Sequence, residues 1–115
     1  MTIYDFRDIL IEVIEAVYHF RPPENAPEKY ILWGETGEGD SIQADGKAEE
    51  ISIRGILYYY TQTEYDDTFD RICKKFNENG VAWSIGAIGY NDTTREITYE
   101  LHWEIMCGEG EIYRK

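Results

Sequence analysis

The sequence predicts an α+β fold. One antiparallel or mixed β-sheet of about four strands carries two helices on one face, in the order α-β-β-α-β-β. Three observations point there. Two stretches repeat apolar residues at three- and four-residue spacing. Several others alternate apolar and polar residues with period two. Between them lie short segments rich in Gly, Pro, Asn and Asp, which punctuate elements. At 115 residues the chain reads as one domain, 1–115, with no internal repeat and no linker.

Residues 2–20 read as the first helix, because Ile3, Phe6, Leu10, Val13, Ile14 and Val17 share a stripe. Thr2 with Asp5 fits a capping box, and Arg21-Pro22-Pro23 ends the helix. His19, near that helix end, would favour the negative pole of its dipole. Residues 30–35 (YILWGE) form a short strand. Residues 36–47 (TGEGDSIQADGK) hold three glycines and several acids, which predicts a flexible loop or hairpin arm. Residues 49–61 form a long strand in which Ile51, Ile53, Leu57 and Tyr59 oppose Ser52, Arg54, Tyr58 and Tyr60.

Residues 63–79 read as the second helix, with Thr63 and Asp66 as a capping box and Phe69, Ile72, Cys73 and Phe76 on one face. Gly80 fits its C-terminal cap. Residues 81–90 and 95–106 form a hairpin around the turn Asn91-Asp92-Thr93-Thr94. The second of these strands alternates cleanly. Ile97, Tyr99, Leu101, Trp103 and Ile105 face one way, and Glu96, Thr98, Glu100, His102 and Glu104 the other. Phe69, Phe76, Trp83, Leu101 and Trp103 are therefore expected to form the core between sheet and second helix.

Composition narrows the function classes. Aromatic residues make up 15% of the chain, which argues against disorder. No apolar run approaches the roughly 20 residues of a membrane span, and the acids Asp5, Asp8 and Glu12 near the start are unlike a signal peptide. A cytosolic protein without membrane contact is expected. Cys73 and Cys107 belong to no CxxC or Cys/His cluster. Cys73 reads as a buried thiol, Cys107 follows a strand where either burial or exposure is open to it, and a disulfide between them is not expected in a reducing cytosol. The net charge of −12 repels phosphate backbones. It suits plain solubility, a passage through which DNA slides, or a mimic of DNA that fills another protein's basic groove.

No catalytic, cofactor-binding or metal-binding constellation stands out. His102 between Glu100 and Glu104 offers imidazole and carboxylates on one strand face. Neighbours two apart lie roughly 6–7 Å from each other, however, so a metal would need ligands from another strand. A solvated face is the simpler reading. The segment Gly34-Glu35-Thr36-Gly37-Glu38-Gly39 lacks the Lys-Ser/Thr and the helix of a phosphate loop. The pairs Asp66-Asp67 and Glu49-Glu50 read as element starts. An enzyme is not expected. The run Tyr58-Tyr59-Tyr60 is the least ordinary feature: strand propensity with one side in the core is one account, an aromatic patch for a partner the other.

The order of elements and four segments together resemble the tail-completion, or tail-terminator, proteins of long-tailed phages and Gram-positive prophages. The segments are PEKYILWGETGEGDSIQADGKAEE, EEISIRGILYYYTQTEYDD, DTFDRICKKFNENG and VAWSIGAIGYNDTTREITYELHWEI. The tyrosine run and the terminal stretch 108–115 fall outside the resemblance. It implies a structural protein that forms a hexameric ring, caps the tail tube and presents a surface to the head connector. Its partners would be itself, the tail-tube protein and the head-connector protein, with DNA passing through and not specifically bound. It would be made in the host cytoplasm and end at the head–tail junction of the virion. Glu35, Glu38, Asp40, Asp45, Glu49 and Glu50 would then serve the ring lumen or neighbour contacts. Tyr58, Tyr60, Glu100, His102 and Glu104 would form a partner surface. An acidic DNA-mimic inhibitor of a host nuclease or restriction system is the alternative.

Overall fold

The computed structural model describes residues 1–39 and 50–115. In chain order the elements are α1 (Ile3–Ile11), β1 (Val17–His19), β2 (Tyr30–Glu38), β3 (Glu50–Thr61), α2 (Thr68–Glu78), β4 (Ala82–Asn91) and β5 (Glu96–Gly108). The expected class is present, but the described sheet has five strands, ordered β1-β2-β3-β5-β4. β1 runs parallel to β2 and every other neighbouring pair is antiparallel, so the sheet is mixed.

The extra strand comes out of the predicted first helix. The Thr2–Asp5 capping box is present, with Thr2 Oγ1 accepting from Asp5 N at 3.1 Å and Asp5 Oδ2 from Thr2 N at 2.8 Å. The helix nevertheless stops at Ile11. The Arg71 guanidinium donates to the Val13 carbonyl at 2.8 Å, taking up an acceptor that a longer helix would have used. The chain then extends, and Val17, Tyr18 and His19 pair with Ile31, Leu32 and Trp33. The second helix is also shorter than predicted. Asp66 does not cap it from a Thr63 box. Its carboxylate instead accepts from the Tyr59, Thr61 and Thr68 hydroxyls and from Thr68 N.

Both helices pack on one face of the sheet. Phe6 is the centre of that layer, stacked on Trp103 with ring centroids 4.1 Å apart and touching Trp33 and Phe76. Ile31, Leu57, Tyr59, Ile72, Leu101 and Ile105 are buried around it. Four of the five expected core residues, Phe69, Phe76, Leu101 and Trp103, are buried. Trp83 is only half-buried, because β4 is an edge strand beyond the reach of most of α2; its indole donates to Asn77 Oδ1 at 2.9 Å. Gly55 lets Trp103 lie flat on the sheet. A Cβ there would stand 2.2 Å from the Trp103 ring and 2.3 Å from the Gly34 carbonyl oxygen.

The β4–β5 turn closes on Arg95, which has φ 61°. Asn91 Oδ1 accepts from Thr93 N and Thr94 N, and Arg95 N donates to Asn91 O at 2.7 Å. A side chain in this left-handed region is strained, so Arg95→Gly should raise stability by about 1 kcal/mol. Urea denaturation reads this directly, and a loss would show that the Arg95 side chain contributes more than its backbone costs.

Cys107 is buried near the end of β5, because it pairs across from Ile51 on the helix-covered face. Cys73 is half-buried, and burial first, then the Asp70 charge, pushes its thiol up to about 11. Both cysteines are free.

Candidate functional site

Period-two alternation gives the sheet a second face that no helix covers. Cross-strand register arranges it in rows. Tyr18, Leu32, Tyr58, Glu100 and Ala87 form one row from β1 to β4. Tyr30, Tyr60, Thr98 and Gly89 form the next. On the other side come Gly34, Ile56, His102 and Ser84, then Gly37, Arg54, Glu104 and Ala82. The face is therefore graded: aromatic over β1–β3, carboxylate-bearing over β5.

The tyrosines touch one another. Tyr30 stacks on Tyr60 at 4.7 Å, Tyr58 lies 6.1 Å from Tyr60, and Tyr18 meets Tyr30 edge-on at 6.0 Å. All four are half-buried, as are Leu32 and Ile56. Burial raises the Tyr30 and Tyr60 phenols, and the Glu96 carboxylate adds to the shift in both. These rings stay neutral donors with a carboxylate beside them.

On β5 the His102 Nε2 lies 2.9 Å from Glu100 Oε2. This pair lies across Gly86, where a Cβ would stand 2.3 Å from Glu100 and 2.4 Å from His102. The β-bulge between Ile85 and Ala87 falls at this point. A groove of about 590 Å³ beside it is lined by Thr36, Arg54, Ile56, Ser84, His102 and Glu104. Among the described residues no group of three or more His, Cys, Asp or Glu side chains is placed to hold a metal ion. None of their helices is long and apolar enough to cross a membrane.

All five residues of the expected partner surface, Tyr58, Tyr60, Glu100, His102 and Glu104, lie on this open face. Of the triple-tyrosine run, Tyr59 alone points into the core, while Tyr58 and Tyr60 are half-buried on the open face. Of the expected acidic loop, Glu35, Glu38 and Glu50 are described. Glu38 and Glu50 are exposed at the ends of β2 and β3. Asp40, Asp45, Glu49 and the rest of the predicted arm after Gly39 lie outside the described residues.

Glu35 sits in β2 on the helix-covered face, its side chain 11% exposed. It joins two residues that sequence reasoning placed elsewhere or nowhere. His19 is in β1, not at a helix end; it stacks on Trp33 at 4.1 Å, and its Nε2 lies 2.5 Å from Glu35 Oε1. The Tyr113 hydroxyl donates to Glu35 Oε2 at 2.5 Å. Burial alone would raise the Glu35 carboxyl, but the hydrogen bonds from Tyr113 and His19 outweigh it and hold it below its usual range. The same bond pushes the Tyr113 phenol up to about 12. This cluster ties down the terminal segment, together with Ile3 N donating to Ile112 O at 2.8 Å. No sequence signal marks it, since its members come from three distant parts of the chain. We read it as a structural clasp that fastens the terminal segment to β1 and β2.

β4 is exposed along nearly its whole length. Ile85, Ile88 and Tyr90 are each more than half exposed on it, at 51%, 57% and 62%. No family model matches this chain, and no curated protein matches it significantly.

Proposed function

We propose that the protein is a structural virion component of a long-tailed phage or prophage: a tail terminator that assembles as a ring, caps the tail tube and joins it to the head connector. The supporting observation is the one-sided sheet. Two helices cover one face, while the other presents tyrosines, Leu32 and Ile56 to solvent. The edge strand β4 adds exposed apolar side chains and a backbone row that pairs with no other strand among the described residues. An aromatic patch on an open sheet face and an exposed edge strand are liabilities in a solitary domain and assets in an assembly. A ring subunit needs contacts to two neighbours and to a protein above and below, and these surfaces supply them. The role needs no catalytic group. Glu38 and Glu50, flanking the arm between β2 and β3, are the described acids best placed to face a lumen through which DNA slides.

Deleting the gene from its phage or prophage and imaging the induced particles tests the role. Filled heads without joined tails, and tails of abnormal length, are the expected result. Normal infectious virions would overturn it. The DNA-mimic reading would then lead, since Glu96, Glu100 and Glu104 form a row of acids along one strand face. That reading requires a monomer or dimer that competes with DNA for a nuclease.

A further inference from the structure

We propose that the sheet face opposite the two helices docks a basic segment of a partner protein, its arginine or lysine side chains laid on the Tyr30–Tyr60 ring pair between Glu96 and Glu100. The placement comes from the register. Tyr30, Tyr60 and Thr98 share one row, and Glu96 and Glu100 stand on either side of Thr98 on β5. A cation over this row meets aromatic faces and carboxylates together, the combination that holds guanidinium and ammonium groups. Tyr18 and Tyr58 extend the platform, so a chain crossing it has room for apolar contact next to each cation. Glu96 is close enough to raise both phenols of the central pair, which places its charge at the same spot.

Charge selects the occupant. A second copy of this chain carries the same net charge of −12, and pairing two such faces would set Glu96, Glu100 and Glu104 against their counterparts. Nucleic acid is repelled for the same reason. A basic protein segment is complementary. The inference deepens the assembly reading, within which the segment belongs to a neighbouring tail or connector protein. The test uses the isolated chain, so a failed docking experiment leaves the ring role standing, and a failed deletion phenotype leaves the docking chemistry standing.

The probe is an oligoarginine peptide titrated into the full chain, followed by tyrosine fluorescence and calorimetry. Saturable binding at one site per chain, weakened by salt, is expected. The double variant Glu96→Lys/Glu100→Lys should weaken it about tenfold or more. Asp70→Lys/Glu78→Lys changes the net charge equally on exposed positions of α2 and should leave affinity within about twofold. Tyr60→Ser should weaken binding with no change of charge, and Tyr58→Ser repeats the test on the same face should Tyr60→Ser fail to fold. Equal weakening by both charge variants would reduce the binding to the overall field of an acidic protein and overturn the proposal. So would the absence of saturable binding. Concentration-dependent dimerisation that Tyr60→Ser abolishes would assign the face to a second copy.

Discussion

Trp103→Ala should cost about 3–5 kcal/mol of folding stability, the range for emptying a large aromatic site in a packed core. Trp103 is 2% exposed at the centre of β5. Its ring stacks on Phe6, meets Trp33 at 6.2 Å, and lies over Gly55. Removing it leaves a void bounded by α1, β2 and β3, and the stiff sheet beneath cannot collapse to fill it. A domain of this size has a total stability of about 5–15 kcal/mol, so the loss is a large fraction of the whole. Trp103→Phe is the calibrating variant. It keeps an aromatic ring on Phe6 and removes an indole N–H that has no acceptor among the described residues. It should therefore cost clearly less. Urea denaturation of the two variants measures both. A loss below about 1 kcal/mol for Trp103→Ala would mean that the helices do not rest on this residue.

Asp66→Ala should cost about 3 kcal/mol at neutral pH, because a buried carboxylate with several donors leaves all of them unpaired when it goes. Its side chain is 4% exposed and accepts from Tyr59 at 2.5 Å, Thr61 at 3.0 Å, and Thr68 through both N–H and hydroxyl; Lys29 lies 3.4 Å away. Tyr59 is itself fully buried. Burial would raise the Asp66 carboxyl, but the hydrogen bonds from Tyr59, Thr68 and Thr61 outweigh it and hold it well below the unfolded value of 3.8. The linkage sign follows. A carboxyl depressed in the folded state contributes stability fully present above pH 3.8 and lost as the pH falls below it toward the folded value. Glu35, also held low, adds in the same direction. Stability should thus be flat above about pH 5 and fall on acidification. Asp66→Ala should flatten the acid limb while lowering the plateau. An unchanged acid limb in that variant would show that other carboxylates govern acid unfolding.

These two sites differ in how far they could be read from sequence. The alternation of residues 96–105 names Trp103 as a core residue without ambiguity, and Phe69 and Phe76 follow from helical spacing. The Asp66 cluster carries the sequence pattern of a helix cap without forming one. Thr63 and Asp66 have the right spacing, and only the proximity of Tyr59 and Thr61, on a strand that ends just before, turns the carboxylate another way. The first helix was over-extended for a related reason. Val13, Ile14 and Val17 satisfy a helical stripe, yet they are β-branched, and the open edge of β2 offered Val17 a ladder partner that local spacing does not encode. The clasp of His19, Glu35 and Tyr113 joins residues from both ends of the chain, so no local pattern carries it.

By itself the sequence determined the α+β class, the β4–β5 hairpin, the apolar stripes at the heart of both helices and the sides of β3 and β5 that enter the core. All of these rest on periodicities of two and 3.6, which are local properties of the backbone. It also determined that Tyr58, Tyr60, Glu100, His102 and Glu104 share no side with Leu101 and Trp103. Only the tertiary structure decided that these residues meet on one face, since their strands are forty residues apart and register sets which row each joins. It decided, too, that β5 and not β4 sits beside β3, leaving Ile85, Ile88 and Tyr90 on an exposed edge. Strand order is a choice among pairings of similar local energy, settled by where Phe6, Trp33 and Trp103 can pack together, and packing is a property of the whole chain.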